Sequence, residues 1–318
     1  MMDTPRQSTP PEPFDPSVLR VAGDLRLRGI EPTRTTHVAV RHGVWIEAAD
    51  WQRLSIDQRY AAFVHATVLR CDPEKPPLLS HESAAVLWGL PRIGAWPRRC
   101  HVTKVDGVAR STGLIVRHST PPVAEAQHQG LRLTSVADTV VALAKTGDLG
   151  AGLAAADHAL RHDMCTREDL ANALAALAPG VTGSVQARLV GELADPGSMS
   201  AGESLSRAQM FLANLPKPEL QVAHEDSAGL IGYVDFDWGG VVGEFDGKLK
   251  YKVPEGATPE EAAEILWQEK QREDRLRRRD NRVARWVWAD AMRPKSMLTI
   301  LGEQGIRPRP RSVWFMAS

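Results

Sequence analysis

Apolar residues first recur at helical spacing at Val18, Leu19, Ala22 and Leu25, and Gly29 closes that run. The stretch 38–46 alternates apolar and polar residues around Gly43, which predicts a tight hairpin. A short helix followed by a hairpin suits a winged helix, and a plain helical subdomain suits the same pattern. Further on, Ser80-His-Glu-Ser83 can cap a helix that reaches Trp88 and stops at Gly89 and Pro91. Strands are predicted at 101–103 and 114–118. Thr134 or Ser135 can cap a helix over 136–145. Two alanine-rich helices follow near 151–161 and 166–177, the second opened by Thr166-Arg-Glu-Asp169. Pro179-Gly180 and Pro196-Gly197 punctuate the exit from this region.

From Ser200 the periodicity changes. A helix over 200–215 precedes a strand at 219–223. Two more strands, 231–238 and 241–246, are joined by Gly239-Gly240, a hairpin signal. Thr258-Pro259-Glu-Glu261 combines a cap, a proline at the first helical position and a capping-box glutamate, so a helix should run from there to about 279. A strand at 283–288 and a helix at 294–302 complete the order helix, three strands, helix, strand, helix. No internal repeat interrupts it.

Composition narrows the classes. The 318 residues are 43% hydrophobic and 25% charged, an ordinary globular balance that excludes a collagen-like or disulfide-scaffold chain. Thirty-nine basic residues balance thirty-nine acidic ones, so any nucleic-acid contact must be a local patch. Cys71, Cys100 and Cys165 are odd in number and lack CxxC spacing, which fits a reduced, cytoplasmic protein without a cysteine zinc site. The stretch 1–16 carries five prolines and no signal-peptide-like apolar core, and no membrane-span-like run occurs. A glycine-rich phosphate loop, HExxH and GxSxG are all missing, which removes the usual support for P-loop, zincin and serine-hydrolase chemistry.

The expected architecture is α+β in five parts. They are a disordered tail (1–15), a winged-helix-like start (16–77), a mixed α/β middle domain (78–197), a C-terminal α/β domain (198–304) and a tail (305–318).

The C-terminal region carries the most informative chemistry. Asp235 lies in the strand Gly232-Tyr-Val-Asp-Phe-Asp-Trp238, and Glu244 and Asp246 lie on the next strand. Strand side chains alternate, so Glu244 and Asp246 point the same way, joined by Lys248 if the strand continues past Gly247. Crowded carboxylates repel, and a divalent cation removes that cost. All-oxygen ligation suits Mg²⁺ or Mn²⁺, either of which would serve phosphodiester chemistry. A polar hairpin with solvated carboxylates is the plainer reading.

These residues resemble the restriction-endonuclease-like PD-(D/E)xK fold. The very-short-patch-repair-like branch, with its aspartate strand followed by Glu-x-Asp-Gly, is the most similar, and the likeness covers 198–304. It implies an endonuclease-like domain with Asp235 and Glu244 as metal ligands and Asp246 beside the metal. The chain departs from the pattern at one place. The motif lysine falls on Asp246, so Lys248 or Lys250 would have to supply that cation. Glu203 corresponds to an acidic residue that often approaches the metal in this fold, while Ser200-Ala-Gly-Glu203 is also a capping box.

On the predicted 258–279 helix, Ala262, Leu266, Glu269, Glu273 and Leu276 share one stripe, and two glutamates interrupt its apolar character. Either a site needs them, or Lys270 and Arg272 neutralise them at the surface. Between Trp267 and Lys295 ten basic residues face five acidic ones, a local charge of +5. Arg272, Arg275, Arg278 and Arg279, interleaved with Trp286 and Trp288 on the following strand, could contact phosphates or simply form a solvated face. The run Arg307-Pro-Arg-Pro-Arg311 could add a flexible phosphate contact.

A second resemblance covers about 18–180. Leu79-Ser-His-Glu-Ser-Ala-Ala-Val-Leu-Trp-Gly-Leu-Pro91 and Gly130-Leu-Arg-Leu-Thr-Ser-Val-Ala-Asp-Thr-Val-Val141 are similar to AbiEi-type antitoxins of type IV toxin–antitoxin systems. That likeness implies a winged helix that binds operator DNA and a domain that neutralises a cognate toxin. By position, Arg34, Arg41 and His42 would be the wing and helix contacts. His81, Glu82 and His118 look catalytic in isolation, yet the first two fit a helix's first turn and the third ends a strand.

Three functional expectations follow. The first is DNA association with metal-dependent cleavage in a phage-defence or toxin–antitoxin setting. There Asp235, Glu244 and Asp246 hold the metal, Lys248 orients water, and Glu203 assists. The second is a non-catalytic antitoxin-like regulator with a degenerate nuclease fold. A protein-interaction scaffold is the third and blandest reading.

Overall fold

The computed structural model describes residues 12–105, 110–120, 123–247, 258–278, 281–311 and 313–315. Lys248, Lys250 and Arg279 therefore lie outside the described residues. Among the described residues the fold is α+β with three sheets. It forms two compact units: one runs to Gly147 and takes back Asp163–Glu192, and the other joins Asp148–His162 to the chain from Leu193 onward.

The N-terminal unit starts with β1 (Arg20–Val21), α1 (Ala22–Leu27), β2 (His37–Arg41), β3 (Val44–Glu47), α2 (Ala48–Arg53) and α3 (Ile56–Val68). The three strands pair antiparallel in the order β1-β3-β2. Gly43, at φ +76°, makes the hairpin turn that the alternation predicted. The pattern had not predicted α3, although Ser55 and Gln58 form a reciprocal capping box at its start. The tail was expected to extend to 15, but Phe14 is buried and its ring packs against His65. One aromatic side chain removes enough apolar surface from water to anchor a proline-rich approach.

Next come β4 (Leu78–Leu79), α4 (His81–Trp88), β5 (Cys100–Val105), β6 (Ile115–Thr120), β7 (Glu125–His128), β8 (Leu131–Thr134) and α5 (Val136–Thr146). The sheet order is β6-β5-β4-β8-β7, with β5–β6 and β4–β8 parallel. Leu79, Val102, Ile115 and Leu133 share a core with Val44, Ile46, Ala62 and Val64, so the first two expected parts fold around one interior. Neither β7 nor β8 was expected. The sequence of β7, Glu-Ala-Gln-His, belongs to an edge strand and has no apolar alternation to read.

Helix α6 (Leu149–Arg161) belongs to the other unit. Helices α7 (Arg167–Ala175) and α8 (Ser184–Leu193) pack back on the N-terminal one. Gly183, at φ +79°, precedes α8, where a Cβ would stand 2.2 Å from the Lys145 carbonyl oxygen.

The C-terminal unit continues with α9 (Ala201–Leu212), β9 (Glu219–Asp226), β10 (Gly229–Asp237), β11 (Val241–Asp246), α10 (Pro259–Arg278), β12 (Arg282–Val287), α11 (Trp288–Ala291) and α12 (Pro294–Glu303). Strands β9, β10 and β11 form an antiparallel meander. β12 adds parallel to β11 after the α10 crossover, giving the order β12-β11-β10-β9. Gly239 and Gly240 both take positive φ at the predicted hairpin. The tail expected from 305 is also held down. Trp314 is buried and donates to the Leu215 carbonyl, and the Arg309 N–H bonds to the Asn214 carbonyl. Among the described residues no helix is long and apolar enough to cross a membrane.

Candidate functional site

In the C-terminal unit Glu203 of α9 and Asp235 of β10 share one amide, and Glu244 of β11 adds its charge to Asp235. Ser200 caps α9 by accepting the Glu203 N–H, so Glu203 sits in the first helical turn. Its Oε2 accepts the Met199 N–H at 2.8 Å and its Oε1 accepts the Ser200 hydroxyl at 2.8 Å. Ser200 is therefore a real N-cap, but the reciprocal half of the expected box falls one residue earlier, on the Met199 N–H rather than that of Ser200. The Glu203 carboxylate also reaches further than the box. The Gln221 amide donates both to Glu203 Oε2 and to Asp235 Oδ1, each at 3.2 Å. Gln221, at φ +51° in β9, bridges two carboxylates, a role that no local motif in the sequence signals.

Asp235 is fixed from the other side. The recorded β10–β11 pairing covers Phe236↔Gly243 and Asp237↔Val242. Two residues beyond Gly243, the Phe245 N–H donates to Asp235 Oδ2 at 2.8 Å. A side chain thus takes a ladder donor.

Burial and the neighbouring Asp235 charge push the Glu203 carboxyl up to about 8. Burial pushes Asp235 up to about 6, helped by the Glu244 charge and opposed by the Phe245 N–H. Both shifts are those of negative groups crowded away from water.

Glu244 is held differently. Arg285 Nη2 lies 2.6 Å from its Oε2 and Arg272 Nη2 lies 2.7 Å from its Oε1. The second contact is short but off-axis, and Oε1 makes no hydrogen bond by geometry. Arg285 also meets Glu269 at 2.9 Å, Glu273 at 3.4 Å and Asp246 at 3.8 Å. Arg272 adds Glu269 at 3.3 Å and the Tyr233 carbonyl at 2.8 Å. The glutamates that interrupt the α10 stripe thus serve a half-buried charge network with β11 and β12. Leu266, on the same predicted stripe, is 49% exposed.

The arginines expected to face phosphate divide. Arg272 and Arg275 turn onto their own unit: Arg275 clasps Asp226 at 2.6 and 2.8 Å and also donates to the Gly229 carbonyl. Their short forks meet planar carboxylates, a pairing that competes with any phosphate. Arg278 is exposed at the end of α10. In the N-terminal unit Arg34 is exposed, while Arg41 ends β2 half-buried.

The donor chemistry can be compared with the expected Mg²⁺ or Mn²⁺. Glu203 and Asp235 offer carboxylate oxygens, the donor type a hard cation prefers once the raised carboxyls have lost their protons. Glu244 would have to exchange an arginine for the metal, and Asp246 shares Arg285. Among the described residues no three His, Cys, Asp or Glu side chains form a ready-made metal cage. The donors thus fit in type, and two of them fit in availability.

Among known proteins, no family model matches the chain. Two Mycobacterium tuberculosis proteins, "Uncharacterized protein MT2308" (strain CDC 1551 / Oshkosh) and "Uncharacterized protein Rv2248" (strain ATCC 25618 / H37Rv), are similar to it. Each is 38% identical over 109 residues, 34% of this chain and 40% of the mycobacterial protein.

Proposed function

We propose that this is a DNA-associated protein whose C-terminal unit is a metal-dependent, endonuclease-like domain acting in phage defence or a toxin–antitoxin setting. One observation carries the reading: Glu203 and Asp235, from a helix and a strand of a four-stranded sheet with a parallel crossover strand, share the Gln221 amide, and the neighbouring strand's Glu244 adds its charge to Asp235. On this reading the β1-β3-β2 sheet with α2 and α3 serves as the winged-helix-like start. A divalent cation, when bound, supplies water activation and charge neutralisation at a phosphodiester. The chain's own residues orient and hold protons. The Phe245 N–H fixes Asp235, Gln221 aligns it with Glu203, and burial shifts the Glu203 carboxyl toward its protonated form.

The second reading is a non-catalytic, antitoxin-like regulator. It is favoured by the two guanidinium groups that already neutralise Glu244. Mn²⁺ titration by calorimetry, with plasmid nicking in parallel, separates the two. The nuclease reading expects Mn²⁺ binding and nicking in wild type. Asp235→Asn and Glu244→Gln should nick at least about 100-fold more slowly, with unchanged circular dichroism. Salt-sensitive promoter binding without nicking in either metal would leave the regulator. Undiminished nicking by both variants would remove the site assignment.

A further inference from the structure

The second basic cluster of this chain lies in the N-terminal unit, where linear charge patterning does not reveal it. Residues from β2, the end of α3, the segment before β4, and strands β5 to β8 enclose a cleft of about 600 Å³. Six cations line it: Arg41, Arg70, Lys75, Lys104, Arg117 and Arg132. The lining carboxylates are Asp72 and Glu125, so the walls carry a net charge of +4 on a chain whose formal charge is zero. Glu125 is already engaged by Arg132 at 2.7 Å. Among the described residues no ion pair joins the other five cations to a carboxylate. The contrast with α10 is direct, since Arg272, Arg275 and Arg277 are each paired there.

The positions of these side chains follow from the sheet. Val102 is in register with Arg117 on the parallel β5–β6 pair, and Lys104 follows Val102 by two residues. Lys104 and Arg117 therefore rise from the same face, beside the apolar Val102 and Ile115. Arg41 Nη1 is buried without a hydrogen-bond partner among the described residues. A buried guanidinium N–H left unsatisfied is costly and calls for an acceptor.

We propose that this cleft binds a small, phosphate-rich ligand of the nucleoside di- or triphosphate class. Three or four negative charges would balance the lining. Arginine forks suit phosphate oxygens, and lysines supply point charges. The volume lies within the range of about 300–1,000 Å³ usual for small-ligand pockets. Val102, Ile115 and Leu78, all buried, form the apolar floor beneath the cations. The site makes no use of the acidic centre and stands or falls independently of it.

The test is calorimetric titration of the full chain with ATP, ADP, AMP and inorganic triphosphate, in EDTA so that metal at the acidic centre plays no part. Affinity should rise with phosphate number. Arg117→Gln and the exposed Lys104→Gln should each weaken ATP binding, Arg117→Gln by more than about 10-fold, while Arg278→Gln leaves it unchanged. Arg41→Gln should act likewise, and if that variant does not fold the other two still decide. Triphosphate binding as tightly as ATP assigns the affinity to phosphate alone and supports the site. No saturable binding at millimolar ATP, binding indifferent to Arg117 and Lys104, or binding of a DNA duplex that ATP fails to displace would overturn it.

Discussion

His81, His101 and His118 illustrate how burial decides the state of a residue more firmly than its neighbours do. The His81 and His118 rings stack at 3.6 Å between centroids. His101 Nδ1 lies 3.1 Å from His118 Nε2 and 3.2 Å from Glu82 Oε2. Glu82 favours the charged form of His101, yet burial is the largest influence and lowers all three, His118 to about 4. They are neutral at pH 7. A lowered folded pKa means that the unfolded chain binds more protons between about 6.5 and 4. The stability these residues contribute is present above 6.5 and is lost as pH falls through 4. Tm should therefore drop more steeply over that window in wild type than in His118→Gln. Parallel curves would show that His118 does not titrate in this way. Glu203 and Asp235 act with the opposite sign, since their raised pKa values cost stability as pH rises toward about 8 and 6. Both are common to wild type and variant, so the difference between the two curves cancels them.

At the level of elements, α9 is held by two devices that can be tested separately. Gly202 lets the helix approach β11: a Cβ there would stand 2.0 Å from the Phe245 ring. Gly202→Ala should cost about 1–3 kcal/mol through overpacking. The other device is the pair Asp157–Arg207, 2.8 Å apart and 1% and 3% exposed, which joins α6 to α9. Arg207 also donates to the Leu193 carbonyl and Ser198. Arg207→Ala leaves a buried carboxylate unpaired and should cost about 3–5 kcal/mol, measured by urea unfolding. Adding Asp157→Ala should recover part of that loss. Simple additivity would mean that the two side chains do not act as a pair.

The same elements show what can be read from sequence. Ser200, Thr166 and Ser135 were legible as caps because a side-chain oxygen three residues before a freed N–H is a local arrangement. The β10–β11 hairpin was legible through two glycines with positive φ. Strand β7 was not, because edge strands bury too little to show a period. Helix α6 was expected to lie in the middle domain. Its membership of the C-terminal unit depends on Asp157 meeting Arg207, fifty residues later. The carboxylates of the acidic centre could be picked out by their alternation. Gln221 and the arginines on Glu244 could not, because they depend on register between strands.

For the whole molecule, charge placement outweighs charge count. The region 267–295 carries +5 formally, but Arg272, Arg275, Arg277 and Arg285 are tied to carboxylates of the same unit. Four of its ten cations are thereby withdrawn from displacing counterions on DNA. Each phosphate neutralised contributes about −0.9 to the slope of log K against log salt on duplex DNA. If DNA associates with this chain, the slope should be shallow, about −2 to −4, when followed by fluorescence anisotropy of a labelled duplex between 50 and 200 mM salt. Arg278→Gln should reduce it by about one unit, as expected for a single phosphate contact. Arg275→Gln should leave the slope nearly unchanged and act instead on stability, because its guanidinium is spent on Asp226. A slope near −8 that Arg272→Gln and Arg285→Gln each reduce would mean that the paired arginines leave their carboxylates on binding. In that case Arg272 and Arg285 would be released from Glu244 in the same step, and DNA binding would be the event that opens the acidic centre to a cation.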